Sequence, residues 1–494
     1  MTTSMGAFRP VAARHSALHL LAPLALVAFA GPFWASSLDA AIAYFFLTVA
    51  AFLPSVLWLR NGMRGMPIWP AVAATSWIFY GLPILRDQEA QTVYPPAAVL
   101  FLAVTVVLFL VSATIASTLA AFTYRRRLPR RAASSLSTHP LTPMVFLGLV
   151  LAIPASLLLW FIDLGAFYGT VRSAILTSTV VSSYMLGCAR GNRSLRGWRW
   201  ALALVALAAN VLYQWSALFL IQGIFLLVAA GAGYMIASRR FPWKTSFAAI
   251  LVLTVLHAGK SQMRQQYWAP DANYSTATGV LHAPALLAEW FEAGLTTLAS
   301  GDSTNMVIDR ATLFGLLLRV QDMAPRDVPF LNGDTYSLLP RLLVPRFLVH
   351  DKPVSQEAMS ILNVRFGLMT LEQTRITAIG WGLIPEAFAN FGLTAVIGVG
   401  VIVGAIAGLF TRWTYGATPT SPGTFLGIVA LMTLVNAEAD FSYLMTNLWQ
   451  SCASAVIFMA LLRAVFPRKC ERPGDGPQGS SHPECQHGEL GWRC

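Results

Sequence analysis

The stretch AAVLFLAVTVVLFLVSATIASTLAAFTYRRR, residues 97–127, decides the fold class. It carries no charge until Arg125, Arg126 and Arg127 close it. A helix rises about 1.5 Å per residue, so this run crosses the roughly 30 Å of bilayer hydrocarbon with length to spare.

Working outward, comparable apolar runs lie at about 18–37, 40–59, 67–85, 143–162 and 174–189. Others follow at about 199–214, 216–237, 245–258, 386–411, 423–437 and 441–466, making about twelve transmembrane helices in an all-α polytopic membrane protein. Composition agrees: Asp, Glu, Lys and Arg are 11% of 494 residues, against roughly 25% in a soluble chain. So few charges cannot cover a water-facing surface, which excludes a soluble enzyme and a disordered chain. Five Cys, two of them inside apolar runs (Cys188 and Cys452), do not make a disulfide framework. The net charge of +12 is scattered between apolar runs and forms no basic domain, so no nucleic-acid partner is expected. The Arg9/Arg14 pair before the first run is read as preceding an uncleaved helix rather than a signal peptide.

The loops give the direction of the spans. Those at 60–66, 124–142, 190–198 and 238–244, with their edges, hold fourteen Arg and Lys residues and no acid. The four acids before residue 259 (Asp39, Asp87, Glu89, Asp163) fall on the other side. By the positive-inside rule both termini are expected in the cytoplasm. The chain then divides into membrane helices one to nine (1–258), a large periplasmic loop (259–385), helices ten to twelve (386–466) and a disordered cytoplasmic tail (467–494). The large loop holds half of the chain's 22 acids, as a water-facing segment should.

Four features could carry chemistry. The first is Pro340-Arg341-Leu-Leu-Val-Pro345-Arg346, followed by His350-Asp351-Lys352-Pro353. Three cations five and six residues apart on a proline-stiffened backbone suit a phosphate or diphosphate, Arg through its planar fork and Lys as a point charge. The plainer alternative is a loop whose arginines lie on lipid headgroups or pair with Asp334 and Asp351. Arg310 and Arg319 lie on an amphipathic stretch at about 303–321.

The second feature is Thr377-Ala-Ile-Gly380-Trp-Gly382-Leu-Ile-Pro385-Glu386, leading to Asn390-Phe391-Gly392. Glu386 and Asn390, four apart, share a helix face. Glu386 could be a general base, could orient sugar hydroxyls, or could be a helix-start charge without further duty. The third is Glu438-Ala-Asp440, where acids at a membrane edge point to a water-filled cavity or a cation partner. A surface turn is the plainer reading, and two carboxylates without further ligands do not make a metal site. The fourth is the tail set Cys470, His482, Cys485, His487 and Cys494, whose spacing fits no zinc pattern. No Walker loop, GxGxxG, HExxH or GxSxG motif is present, so no cofactor is expected.

These segments resemble the bacterial O-antigen and oligosaccharide repeat-unit polymerases (Wzy-type). Members show a loop of the form PR…KP, a Thr/Gly-rich stretch and then G-E-x-Y-x-N-F-G opening the next helix. Pro345-Arg346-Phe-Leu-Val-His350-Asp351-Lys352-Pro353 is similar to the first, and Pro385-Glu386-Ala-Phe388-Ala-Asn390-Phe391-Gly392 to the last. The chain departs at Pro385, where the family has Gly, and at Phe388, where it has Tyr. The likeness covers about 80 residues.

The resemblance implies a GT-C-like glycosyltransferase at the periplasmic face of the bacterial inner membrane. Such an enzyme joins oligosaccharide repeats carried on undecaprenyl diphosphate, with a chain-length regulator as a further partner. It also implies roles: Glu386 as base with Asp351 and His350 behind it, and Arg341, Arg346, Lys352, Arg319 and Arg310 on the leaving diphosphate. Asn390, Glu438 and Asp440 would contact sugar. An O-antigen ligase and a polysaccharide flippase are the rival readings. Against the flippase, the charges gather in an external loop and the two halves of the chain do not match.

Overall fold

A computed structural model describes residues 27–85, 93–122, 141–159, 164–238, 242–267, 282–300, 312–344, 351–376, 379–418 and 421–465, with a few single residues between. Every regular element among them is helical. Helix α1 is Leu38–Arg60, and α2, Ile68–Ser76, continues through a π turn to Leu85. Then come α3 (Pro96–Phe122), α4 (Leu141–Val150), α5 (Ala152–Leu158), α6 (Tyr168–Gly191), α7 (Trp198–Trp215) and α8 (Leu220–Ser238). Helices α9 (Trp243–Tyr267), α10 (Ala283–Ala299), α11 (Thr312–Met323), α12 (Leu339–Leu343), α13 (Glu357–Arg365) and α14 (Leu371–Ile376) follow. The last four are α15 (Leu383–Phe391), α16 (Leu393–Trp413), α17 (Pro422–Leu434) and α18 (Phe441–Val465).

Six of these, α1, α2 with its extension, α3, α8, α16 and α18, are long and apolar enough to cross a membrane, and two shorter apolar stretches lie at Val145–Leu158 and Pro422–Leu434. The chain is a helical membrane protein. Its outward faces show why. On α1, Ile42, Phe46, Val49 and Leu53 form an exposed apolar stripe, while Tyr44, Leu47 and Ala51 are buried on the other side. A stripe of that kind is costly in water and costs nothing against lipid tails.

Lipid offers no hydrophobic drive between helices, so close packing must hold them. Gly400, Gly404 and Gly408 of α16 lie on Phe109, Ala113 and Ser117 of α3, so the two helices run parallel. A side chain at Gly404 would strike the Ala113 carbonyl oxygen. Helices α6 and α8 are also parallel, with Tyr184 at Gly233 and Gly191 at Ala237. Buried indoles find partners across helices: Trp69 Nε1 donates to Thr114 Oγ1 and Trp77 Nε1 to Thr48 Oγ1, each at 2.9 Å.

The two ends of the bundle differ. At one, Met66 N donates to Thr414 Oγ1 (2.7 Å), Gly427 lies against both residues, and Tyr184 meets Phe425. Arg60, Arg190 and Arg412 sit in the last turns of their helices there. The other end, beyond the 21 residues of α16 and thus about 30 Å away, carries Glu386 and Asp440.

Several sequence boundaries move. The expected helix 386–411 is two helices, α15 and α16, broken at Gly392, whose φ is +64°. Helix α9 passes the expected membrane boundary at 258 and runs to Tyr267, with Trp290 of α10 donating to Leu256 O at 2.7 Å. The first part of the first expected span, 18–26, and all of the tail from 467 fall outside the described residues.

Candidate functional site

Helix α15 is short because glycines bound it. Gly382 (φ +70°) donates to Glu438 O and lies so close to Ala437 O that no larger residue fits. Between Gly382 and Gly392 every residue from Ile384 to Asn390 is buried. Two of these, Glu386 and Asn390, are polar, and both are fully enclosed.

Asn390 fastens residues 331–335 to α15. Its Oδ1 accepts from Gly333 N (3.0 Å), and its Nδ2 donates to Thr335 Oγ1 and Glu386 O (2.9 Å each). Leu331 N and Asn332 N donate to the carbonyls of Ala389 and Asn390. From the far side Ser442 Oγ donates to Thr335 O at 2.9 Å, and Tyr336 meets Phe441 edge-on at 5.5 Å. Asn390, expected to contact sugar, has its side-chain polar atoms engaged by the chain itself.

Glu386 reaches the first turn of α18. Its Oε2 accepts the Phe441 N–H at 2.6 Å, and Asp440, the residue before that helix, accepts the Tyr443 N–H at 2.8 Å through Oδ1. Both carboxylates thus satisfy N–H groups that a helix start leaves open. Glu386 Oε1, Asp440 Oδ2 and the Tyr336 hydroxyl are buried without a hydrogen-bond partner. Among the described residues no cation pairs with either carboxylate. Neither acid lies within a membrane-spanning helix.

Burial pushes the Glu386 carboxyl well above its ordinary value, and the Asp440 charge adds to this. The Phe441 N–H and the Thr335 hydroxyl offset part of the shift. Burial also raises Asp440, against the backbone N–H groups of Tyr443 and Ser442. Burial raises the Tyr336 phenol, and the two acids raise it further.

Glu386, expected as a general base, is enclosed and bonded to α18, whereas a base must reach the proton it takes. Asp440, expected to contact sugar, is enclosed too. Glu438, two residues before it, is exposed and contributes only its carbonyl, to Gly382 N, so Glu438 and Asp440 do not act as a pair.

The basic residues are partly brought together. Helix α12 leans on α18 and carries Arg341, which is exposed and donates through Nη2 to the Asp351 carbonyl. Lys352 Nζ donates to Val344 O at 2.8 Å, so the two cations tie the end of α12 to Asp351 and Lys352. Asp351 is exposed. Arg319 is engaged elsewhere: its Nε donates to Phe366 O at 3.1 Å, and Phe366 stacks on the buried Trp381. His350, Arg346 and Arg310 lie outside the described residues.

The sequence reading missed Thr335, Tyr336 and Ser442. The signal for α18 was there, because Asp440 before an apolar run is an N-cap pattern. Nothing in the spacing pointed from Glu386 to it.

No family model, curated protein or solved structure matches this chain.

Proposed function

We propose that this chain polymerises undecaprenyl-diphosphate-linked oligosaccharide repeats at the periplasmic face of the bacterial inner membrane, releasing undecaprenyl diphosphate. What supports the reading is a link between one segment that resembles the polymerases and the stretch of chain that leads into the other. Residues 331–335 are bonded to Asn390 in the second segment, and α12, which follows them with Arg341, leads directly into the first. A donor already joined to diphosphate needs no nucleotide, only charge to steady the leaving group and a base for the incoming hydroxyl.

In this reading Arg341, Arg346 and Lys352 hold the diphosphate. Asp351, exposed on the same loop, replaces Glu386 as the base, with His350 beside it in sequence. The reading also keeps twelve spans with both termini in the cytoplasm. The alternation of spans makes α3 and α16, and likewise α6 and α8, run in one direction, as they do. The test is Arg346→Ala in cells. Polymer should vanish while the protein stays in the membrane and single repeats accumulate on the lipid carrier. Polymer of normal length and yield would overturn the proposal.

A further inference from the structure

Two carboxylates are buried side by side at the start of α18, and the chain supplies them with few compensations. Each has one oxygen on a backbone N–H, from Phe441 and from Tyr443, and the Thr335 hydroxyl and the Ser442 N–H ease them further. Each has a second oxygen without a partner, and the unpartnered Tyr336 hydroxyl belongs to the same cluster.

Among the described residues, the elements packed around them bring no neutralising charge. Helix α11 contributes Arg319, bonded to Phe366 O, and Asp322, beside the exposed Arg326. Helix α3 offers Thr105, which accepts from Gln321. Helix α12 offers Arg341, exposed and directed to Asp351 O. The turn at 336–338 offers Tyr336 alone, and Tyr443 adds its backbone N–H on α18.

Two ionised carboxylates in such a place would repel each other with no water to screen them, and in like pairs one group stays protonated. A divalent cation would neutralise them too, but among the described residues no third His, Cys, Asp or Glu joins the pair to hold one. The smallest ligand that satisfies the site is a proton.

We propose that Glu386 and Asp440 together form a binding site for one proton, and that this proton seats residues 331–343 on α18. The segment is the cover of the site: Thr335 and Tyr336 lie over the pair, and Asn390 and Ser442 pin it down. Losing the proton leaves two buried like charges, which are relieved only if the cover lifts and water enters. Arg341 stands at the end of that cover, so protonation sets the position of the cation-bearing loop. The proposal goes beyond the enzymatic reading and does not rest on it.

The test uses the full chain purified in detergent. Infrared spectra in D2O at neutral pH should show a protonated-carboxyl stretch that titrates away on the alkaline side. The double variant Glu386→Gln/Asp440→Asn, which keeps shape without charge, should lack that stretch. Trypsin should cut wild type after Arg341 or Arg346 at least about tenfold faster, relative to the double variant, once the stretch has gone, since cleavage follows the open population. A wild-type chain without the stretch at neutral pH overturns the proposal, as does a stretch that survives in the double variant. If the double variant does not fold, the wild-type titration alone decides. Neither readout involves polymer, so failure here leaves the proposed function standing.

Discussion

Glu386 Oε2 accepts the backbone N–H of Phe441 at 2.6 Å, so a carboxylate read as opening one helix completes the start of another. That bond joins α15 to α18 across 55 residues of sequence. It makes Glu386 a part of the frame that holds residues 331–335.

The pH dependence follows. Glu386 binds its proton more tightly in the folded chain than in the unfolded one, because burial and then Asp440 raise its pKa. Asp440 is raised in the same direction. Stability is therefore fully present below the ordinary carboxylate range and is lost as pH climbs toward the raised values. Thermal unfolding of the purified chain should shift downward from about pH 5 to about pH 8, and Glu386→Gln should flatten the slope. A wild-type slope of the opposite sign would contradict the burial of the pair.

Asn390→Ala should act on stability before it acts on any substrate. It strips partners from Gly333 N, Thr335 Oγ1 and Glu386 O at once, a loss of roughly 2–4 kcal/mol for buried groups. A lower melting temperature in the absence of substrate is the expected result. An unchanged one would restore a role in binding.

Two glycines of one helix should respond in opposite ways. Gly404 lies on Ala113 of α3, whereas a side chain at Gly398 meets nothing within 4 Å. Gly404→Val should cost about 3 kcal/mol or more by driving α3 and α16 apart, while Gly398→Val should stay within about 0.5 kcal/mol. Membrane-fraction yield and thermal stability of the two variants check this.

The class of the fold was legible in the sequence because lipid demands long uncharged runs, and residues 97–122 can be nothing but a helix there. The break at Gly392 was not, since apolar character continues through Phe391-Gly392-Leu393 and only the positive φ reveals the turn. At the site, Glu386 and Asn390 drew attention for sound reasons, their type and spacing. Their partners lie more than 50 residues away, in Thr335 and Phe441, and periodicity carries no information about which distant turn a buried side chain meets. Exposure was not legible either: residue type alone does not say that Asp351 lies open and Glu386 enclosed.

Asp351 itself can be tested cleanly. Arg341 bonds its backbone carbonyl, so Asp351→Asn leaves that contact in place. If the carboxylate is the base, turnover should fall on the order of 100-fold or more with stability unchanged. Arg341→Lys should give only partial activity, because an ammonium cannot reproduce a bidentate fork on phosphate oxygens. Arg341→Ala should cost on the order of 2–4 kcal/mol in the transition state, roughly 30- to 1000-fold in rate. Equal activity in all three variants would remove the loop from the mechanism.

The central claim is that this chain joins lipid-linked repeats to one another without any other acceptor. The measurement is to incubate the purified protein in lipid vesicles with undecaprenyl-diphosphate-linked repeats alone and to resolve the products by size. The account predicts a ladder of products spaced by one repeat, with free undecaprenyl diphosphate released in step. A single unextended band would contradict it, whether a core acceptor then restores transfer, as for a ligase, or the repeat only changes leaflet, as for a flippase.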